Sequence, residues 1–497
     1  MTSPKLEREV KFEVHDDFEL PTLDEFLAEG ATERPLPERE LDAQYYDTHD
    51  FRLARWGCSV RHRSDQGWCV KIPAGGDGLA LARDEVLVDG VGGTPPDAAV
   101  RLVSGFTRSA PLEPVVRLRA TRRPRMIVDA DGSELAELVD DLVTVERPDR
   151  PTESFRMLEV ELADDADVER VTTIVDQLVS HGAIHTRCTK VSRALGGPAG
   201  VGTEILIPEV GRHPTAREVA HAAIARSVRQ VILGLPGVRL GDDPEDLHRA
   251  RVGVRRLRSD LRTFGPLLDT AWAADLRTEL RWLGGALGAV RDLDVLLTKL
   301  ARTVADEPAI DDQQAAPLLA WFESERVARR RILTATLDSR RTTQLLDELV
   351  AASVDPPTAP QADDPAEEIL PALARKPWRR LEQAVEQLDA DSTNEEIHAV
   401  RILAKRCRYA ADVVAPAVGR PARGFSKAMA RIQDCLGDLN DAVVIGAQLR
   451  EAAMADYEIA FVAGQLSGIL DYRARHTRTD FWPIWKAAAE KGLRNWW

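Results

Sequence analysis

The sequence predicts a multidomain α+β protein, with a strand-rich N-terminal region and an all-α C-terminal region. Short runs in which apolar and polar residues alternate dominate the first 195 or so residues. From about residue 215 the apolar residues recur every three or four positions, which is the period of amphipathic helices. The helical region also repeats itself, with an offset of 149 or 150 residues. Repetition at a fixed offset indicates an internal duplication of the helical domain.

Length and composition exclude several classes of protein. A chain of 497 residues is too long for one hydrophobic core, and its 44% hydrophobic and 30% charged content is typical of folded domains. No apolar run reaches the roughly 18 residues of a membrane helix, and the N-terminus lacks the apolar core of a secretory signal. The five scattered cysteines lack the spacing of a disulfide framework or a zinc site. We expect a cytoplasmic protein whose net charge of −15 argues against nucleic acid as its partner.

The alternation and the turn residues locate the domains. A Gly- and Pro-containing segment at 195–214 predicts a domain linker, and a second Pro-rich segment at 355–368 divides the helical region. We therefore expect domains at 1–197 and 214–497, a linker at 198–213, and helical repeats at about 214–354 and 369–497. The predicted strands are Lys5–Val14, Ser59–Ile72, Glu113–Arg123, Glu134–Val145 and Phe155–Leu162, and the predicted helices between them are Leu23–Glu29 and Val168–His181.

Carboxylates alternate with apolar residues in two of the predicted strands. Glu7, Glu9 and Lys11 share one face of the first strand, because side chains two positions apart point the same way. Glu159 and Glu161 form a second pair of the same kind. Carboxylate oxygens are the ligands that Mg²⁺ and Mn²⁺ prefer, so the two pairs are candidates for a metal site.

Basic residues fall in other strands of the same region. Arginine binds phosphate oxygens through paired hydrogen bonds, and charges of both signs on one strand face are costly to bury unless they bind a ligand. A polyanion with its metal ion would satisfy both sets. In the Arg-rich strand, Arg119, Arg122 and Arg123 are each candidates for the inward position. The remaining candidate phosphate ligands are Lys11, Arg61, Arg63, Lys71 and Lys190.

Together the ExExK opening, the paired arginines, the later ExE strand and the final lysine resemble the CYTH family of triphosphate tunnel metalloenzymes. The resemblance covers roughly residues 3–195. It implies an antiparallel β-barrel whose tunnel binds a triphosphate with Mg²⁺ or Mn²⁺. It also implies that Glu7, Glu9 and Lys11 are catalytic and that the basic residues hold phosphate. Metal ligands would be Glu7, Glu9, Glu159 and Glu161, with Glu137 and Asp140 as candidates for further metal or water contacts.

The duplicated helical segments each carry a basic stripe. Segment 246–264 matches 396–414, and segment 287–296 matches 436–445. On a helical wheel the histidine and basic residues of each stripe share one face, with few acidic residues at salt-bridge spacing. Like charges so placed repel, and aromatic residues for base stacking are not interleaved, so a chain of bare phosphates is the expected ligand. The stripes are His248, Arg251, Arg255 and Arg258, extended by Arg262, and His398, Arg401, Lys405 and Arg408, where Asp412 matches Arg262.

This repeated pattern resembles the CHAD domain, over about residues 212–497. The resemblance implies a bundle of two four-helix halves with a basic channel that binds inorganic polyphosphate. Eight residues of the two stripes would bind it: His248, Arg251, Arg255, Arg258, His398, Arg401, Lys405 and Arg408. Arg291 differs from its counterpart Asn440, so this pair is not included in the predicted site. No catalytic group is predicted in this half, which we interpret as a binding module.

Three functions remain open from the sequence. The leading hypothesis is metal-dependent hydrolysis of inorganic triphosphate in the barrel, with polyphosphate bound by the helical domain. A second keeps the tunnel and changes the substrate to an organic triphosphate such as thiamine triphosphate. A third is a non-catalytic scaffold that binds polyphosphate and targets the protein to polyphosphate granules.

Overall fold

The computed structural model describes residues 1–23, 27, 30–75, 79–147, 150–164, 166, 168–196, 203–241, 243–307, 310–389 and 391–497. Most of the predicted helix Leu23–Glu29 lies outside these residues. The chain divides into two compact units, Met1–Glu204 with Pro236–Asp242, and Ile205–Leu235 with Asp243–Trp497. Among the described residues, no helix combines the length and the apolar character that crossing a membrane requires.

The first unit is built on antiparallel strands. Eight of them pair in the closed order β1-β6-β5-β4-β3-β7-β8-β9, and β9 pairs again with β1. This ring confirms the predicted antiparallel barrel. Outside it, β2 pairs with β7 and β10 with β1. The strands are β1 Lys5–Val14, β2 Thr32–Pro35, β3 Arg39–Asp47, β4 Ser59–Arg63, β5 Gly67–Pro73, β6 Leu81–Val88, β7 Glu113–Val128, β8 Glu134–Arg147, β9 Arg150–Leu162 and β10 Ile184–Thr186.

Short helices accompany the barrel. Apolar residues of the predicted helix near 168–181, including Ile174 and Leu178, pack against Phe12 of β1 and Leu158 of β9 in one buried cluster. A second cluster joins β3, β7 and β8 to Val191. The helices are α1 Arg52–Arg55, α2 Asp97–Thr107, α3 Val168–Ser180 and α4 Lys190–Ala194.

Long helices form the second unit, as the apolar periodicity predicts. The duplicated segments correspond to α6–α7 and α11–α12. Asp243 caps α6 by accepting from the amide of Glu245, and Thr393 and Glu396 form a capping box on α11. The helices are α5 Ala216–Leu240, α6 Pro244–Thr263, α7 Thr270–Asp306, α8 Asp312–Leu337, α9 Arg340–Val354, α10 Ala366–Glu386, α11 Asn394–Val418, α12 Arg420–Ala455 and α13 Ala460–Ala488.

Candidate functional site

The pairing of β1 with β9 brings the two predicted carboxylate pairs together. In this register Glu9 lies opposite Glu161 and Lys11 lies opposite Glu159. One carboxylate oxygen from each of Glu7, Glu9 and Glu161 falls within 4.8 Å of the others. Three converging carboxylates are a donor set that a hard divalent cation favours. The described residues therefore include an acidic group able to hold a metal ion.

Glu159, the fourth predicted metal ligand, is held by cations instead. Its carboxylate accepts hydrogen bonds from Lys11 and Lys190, and Arg122 Nη2 lies 3.3 Å from Glu159 Oε2. Burial opposes ionisation of Glu159, yet the charges of Lys11 and Lys190 set its pKa well below the usual value. Glu159 therefore binds three cationic side chains and is not part of the group formed by Glu7, Glu9 and Glu161.

Lys71 and Arg83 hold Glu7 and Glu9 from the opposite side. Lys71 Nζ lies 2.5 and 2.6 Å from the two carboxylate oxygens of Glu7, and Arg83 donates to both Glu7 and Glu9. Burial would raise the pKa of Glu7, but the charges of Lys71 and Arg83 outweigh it and lower that pKa to about 2. Arg83 is not among the residues predicted from the sequence. Its signal is the alternation in LARDEVLV, where Arg83 and Glu85 share one face of β6.

Arg61 and Arg63 occupy β4, as predicted from the sequence. Arg61 hydrogen-bonds to the hydroxyl of Tyr45, and its charge lowers the pKa of Tyr45 against the effect of burial. Arg63 pairs with Asp65 at 2.6 Å, through Nε. The Nε atoms of Arg61 and Arg83 are buried and make no hydrogen bond to any residue that the structure describes. Buried donors without a partner indicate room for an anionic ligand.

These side chains surround a cavity of about 60 Å³ inside the barrel. Polar and charged groups dominate its wall, and Tyr45 is the aromatic residue among the described ones that line it. The predicted residues that line the cavity are Glu9, Lys11, Arg61, Arg63, Lys71, Arg122, Glu159 and Lys190.

The three candidate arginines of β7 separate by strand alternation. Arg122 points inward, where its Nε and Nη2 atoms lie 3.1 and 2.9 Å from the carboxylate of Asp141. Arg119 and Arg123 lie on the opposite face with side chains 52% and 57% exposed. Arg119 pairs there with Glu146 and Asp42, and Arg123 pairs with Glu38. The prediction that Arg119 and Arg123 bind triphosphate is therefore corrected, since strand geometry admits one of these three to the cavity.

A similar correction applies on β8. Asp140, suggested by the sequence as a further metal or water contact, pairs with Arg156 at 2.8 Å. Its neighbour Asp141 is fully buried and lies 2.6 Å from Lys190 Nζ. Glu137 lies opposite Glu161 in the pairing of β8 with β9. The site therefore takes Asp141, which the sequence analysis missed by one position.

In the helical unit the two stripes occupy equivalent places. The guanidinium of Arg251 on α6 lies close to Gly288 of α7, with Nη2 3.6 Å from where a Cβ would stand. Arg401 on α11 lies equally close to Gly437 of α12, with Nε at 3.8 Å. The same contact between an arginine and a glycine thus occurs in both repeats, at the offset found in the sequence.

The two stripes meet where α6 packs on α11. Arg255 Nε donates a hydrogen bond to the hydroxyl of Tyr409 at 2.9 Å. The cationic groups of Lys405 and Arg408 lie over the same ring, at 6.0 and 5.9 Å from its centroid. Burial, together with the charges of Arg255 and Arg401, lowers the pKa of Lys405 to about 7. We call this surface the basic surface: Arg251, Arg255, Arg258, Arg401, Lys405 and Arg408.

The predicted histidines, His248 and His398, lie beside Arg291 and Asn440, which were not predicted to bind polyphosphate. His398 hydrogen-bonds through a ring nitrogen to Asn440. Burial lowers the pKa of His248, and the charges of Arg291 and Arg255 add to the effect. Arg291 and Asn440 are thus neighbours of the two histidines in their respective repeats, although their side chains differ.

Few acids balance the basic surface. Arg251 pairs with Asp292 at 2.8 Å, and Arg408 lies 4.0 Å from Asp412. Among the residues that the structure describes, Arg258, Arg401 and Lys405 form no ion pair, and Arg401 Nε is buried without a hydrogen-bond partner. Positive charge that is neither paired nor solvated favours an anionic ligand.

Comparisons with known proteins identify a family match for the helical region and two relatives of the chain. A family model described as the CHAD domain matches residues 222–450. Uncharacterized protein MT2285 and Uncharacterized protein Rv2226, from two strains of Mycobacterium tuberculosis, are each 31% identical over 484 residues, which cover 90% of this chain and 89% of theirs.

Solved structures give more distant likenesses. The CHAD domain from the plant Ricinus communis is 28% identical with a TM-score of 0.47, covering 59% of this chain and 96% of that one. PptA from Streptomyces chartreusis is 22% identical with a TM-score of 0.46, covering 55% and 99%. HpAC1 from Hippeastrum, for which a dominant triphosphatase activity is reported, is 15% identical with a TM-score of 0.23, covering 38% and 96%.

The chain combines an eight-stranded antiparallel barrel with a helical region in which residues 222–450 match the CHAD domain. The family match confirms the CHAD resemblance predicted for the helical half. The chain belongs to the family that contains the two Mycobacterium tuberculosis proteins.

Proposed function

We propose that the barrel hydrolyses inorganic triphosphate with a divalent cation, Mg²⁺ or Mn²⁺, and that the helical domain binds polyphosphate. One observation carries the proposal for the barrel. Three converging carboxylates, Glu7, Glu9 and Glu161, share the barrel with the buried Nε atoms of two arginines, which have no hydrogen-bond partner among the described residues. Anion binding alone would not require such an acidic group, whereas a metal–triphosphate complex requires both kinds of charge.

The residues of the barrel divide between two roles. Glu7, Glu9 and Glu161 would hold the cation, which when bound would polarise phosphate oxygens and assist ionisation of water. Lys11 and Arg122 already contact the carboxylates at the cavity wall and would neutralise charge on the phosphates. The remaining phosphate ligands would be Arg61, Arg63, Lys71 and Lys190, with Arg83 added.

Hydrolysis in this site would consist of one displacement. The oxygen of water bonds to a terminal phosphorus, the bridging P–O bond breaks, and its electron pair leaves with pyrophosphate. The proton of the attacking water passes to a carboxylate at the cavity wall, and orthophosphate and pyrophosphate leave as the products. Positioning and charge neutralisation by the fixed side chains would supply most of the acceleration.

Polyphosphate binding is proposed for the basic surface of the helical domain. Its cations come from both repeats and meet at Tyr409. A linear polyanion could contact both stripes along their length, and it would offset the repulsion that adds to burial in lowering the pKa of Lys405. We propose no catalytic step there.

Two features bear on the alternative functions. An organic triphosphate needs an apolar or aromatic wall, and Tyr45, the aromatic residue among the described ones at the cavity, is buried with its hydroxyl bound to Arg61. This favours inorganic triphosphate over thiamine triphosphate. The non-catalytic scaffold that targets the protein to polyphosphate granules would use the cations alone, and it leaves the convergence of Glu7, Glu9 and Glu161 without a purpose.

The test measures phosphate release by the purified full-length protein. Tripolyphosphate, ATP, thiamine triphosphate and long-chain polyphosphate are each incubated with Mg²⁺, Mn²⁺ or EDTA, and binding of the long chain is measured in parallel. We expect turnover that requires metal and favours tripolyphosphate. Faster turnover of thiamine triphosphate would replace the substrate, and no turnover with retained binding would establish the scaffold instead.

A further inference from the structure

The basic surface continues in one repeat and stops in the other. Along α6, Arg258 is followed one turn later by Arg262. Along α11, the equivalent of Arg262 is Asp412. The duplication therefore provides an internal comparison, in which the same position carries a cation on one side and an anion on the other.

Contacts between the helices fix what lies opposite that position. In the first repeat Arg251 lies beside Gly288 and Arg258 lies beside Gly284. The two helices therefore run antiparallel, and later residues of α6 face earlier residues of α7. Arg281 and Arg277 are the next residues on that face of α7, one and two turns before Gly284. Arg262 thus comes opposite these two arginines.

The second repeat has the same register with different residues. Arg401 contacts Gly437, and Arg408 Nη1 lies 3.3 Å from Gln433 Oε1. One helical turn after Arg408, Asp412 accepts a hydrogen bond from Ser426. Ser426 matches Arg277 of the first repeat at an offset of 149 residues. Ala430 takes the place of Arg281. The second repeat therefore has an acid hydrogen-bonded to a hydroxyl at the positions where the first has Arg262 and Arg277.

Four arginines of the first repeat and Arg406 of α11 lie together, without acidic partners among the described residues. Arg262 is exposed, and burial of part of its side chain plus the charges of Arg406 and Arg277 lowers its pKa to about 10. Arg406 Nε is buried without a hydrogen-bond partner. None of these residues forms an ion pair within the part of the chain that the structure describes. We call this group the arginine cluster: Arg258, Arg262, Arg277, Arg281 and Arg406.

We propose that the arginine cluster binds the terminal phosphate of a polyphosphate chain, so that the helical domain holds the chain by one end. This inference rests on the polyphosphate binding proposed above. A terminal phosphate carries close to two negative charges near neutral pH, because its second pKa is about 6, whereas an internal phosphate carries about one. A cluster of arginines without acidic partners among the described residues suits the most highly charged unit of the ligand, and the asymmetry of the repeats gives the bound chain a direction.

The test compares three probes on the full-length protein in EDTA, by titration calorimetry. They are a short linear polyphosphate of one length, the same chain with each terminal phosphate blocked as a singly charged methyl ester, and a cyclic metaphosphate. We expect the linear chain to bind about tenfold more tightly than the blocked chain, the loss typical of one strong charge-assisted hydrogen bond. The cyclic probe, which has no end, should behave like the blocked chain.

The variant copies the second repeat into the first: Arg262→Asp, Arg277→Ser and Arg281→Ala. These residues already coexist at the matching positions of α11 and α12, and the change relieves repulsion, so folding should be retained and is checked by thermal unfolding. We expect the triple variant to bind linear and blocked chains with the affinity that the parent protein shows for the blocked chain. A control of equal charge alters exposed arginines elsewhere on the helical unit, Arg329→Asp, Arg302→Ser and Arg340→Ala.

The outcomes separate this inference from the function on which it rests. Equal affinity of the parent protein for linear and blocked chains would overturn end binding while leaving polyphosphate binding in place. An equal loss for both probes in the triple variant would also overturn it, because the cluster would then contact internal phosphates. If the parent protein binds none of the three probes, the proposed polyphosphate binding fails, and end binding fails with it.

Discussion

The barrel and the helical domain both concentrate cations, but they balance them in opposite ways. Inside the barrel, Lys71 and Lys190 contact buried carboxylates directly. On the helices, Lys405 is surrounded by like charges, and its pKa falls to about 7. Mixed charge suits a ligand that brings its own cation, whereas unmixed positive charge suits a bare polyanion. The difference agrees with the two ligands proposed above, a metal–triphosphate complex for the barrel and a bare polyanion for the helices.

Removing a carboxylate of the acidic group should separate the two sites most strongly. We expect Glu9→Gln to lower metal-dependent release of phosphate from tripolyphosphate by about a hundredfold or more, because the cation loses a buried ligand. Binding of long-chain polyphosphate should not change. Glu161→Gln, at a less buried ligand, is the second variant, and Glu38→Gln on the exposed surface is the matched control. Hydrolysis that survives both ligand changes would contradict the metal assignment.

Reversing charge on the basic surface should have the converse effect. Arg255→Glu with Lys405→Glu is expected to weaken binding of long-chain polyphosphate by about a hundredfold, because two cations facing one polyanion become repulsive. Turnover of tripolyphosphate should stay within about twofold, as measured by steady-state kinetics. Loss of both activities in this variant would show that the sites are not independent.

The inward register of β7 predicts a smaller effect confined to one arginine. Arg122→Lys keeps the charge but loses the forked geometry of the guanidinium, and it should reduce kcat/KM for tripolyphosphate by about tenfold. Arg119→Lys and Arg123→Lys are matched controls on the same strand, and they should leave kcat/KM unchanged because both side chains are exposed. Equal losses in the three variants would contradict the register.

The lowered pKa of Lys405 predicts the smallest effect, a dependence of polyphosphate binding on pH. Lys405 is charged below about pH 7 and loses its proton above it, so affinity should fall as the pH rises through about 7. We expect a loss of about threefold, because one of several contacts weakens. Lys405→Arg keeps its charge throughout this range, so its binding should be nearly independent of pH above 7, as measured by fluorescence titration. An unchanged pH dependence in that variant would assign the titration to another group.

Periodicity predicted the parts of the fold that repeat over long segments. Alternation placed Glu7 and Glu9 on one face of β1, and Glu159 and Glu161 on one face of β9, and the pairing of the two strands sets Glu9 opposite Glu161. The offset between Arg251 and Arg401 identified the duplication, which recurs as matching contacts with glycines. Both predictions depend only on local geometry repeated along the chain.

The missed residues depend on register between strands, which alternation within one strand does not fix. Asp140 and Asp141 are adjacent in a strand that is apolar on both faces, so either could have been inward, and only the pairing of β8 with its neighbours selects Asp141. Arginines at both parities of β7 left the same ambiguity around Arg122. Arg83 lies on β6, whose alternation is short and contains mainly charged residues at one end, so the strand itself was not predicted.

The scarcity of acids on the basic surface has a consequence for how the protein responds to ionic strength. Cations such as Arg258 and Arg401, which form no ion pair among the described residues, would release the small ions condensed on a polyphosphate when they bind it. Added salt opposes that release and weakens the complex steeply. In the barrel the cations are already neutralised by carboxylates of the protein, such as Glu7 beside Lys71. Ligand binding there would release few counter-ions and would depend less on salt concentration. We therefore expect added salt to weaken the proposed polyphosphate binding by the helices while leaving the proposed turnover in the barrel nearly constant.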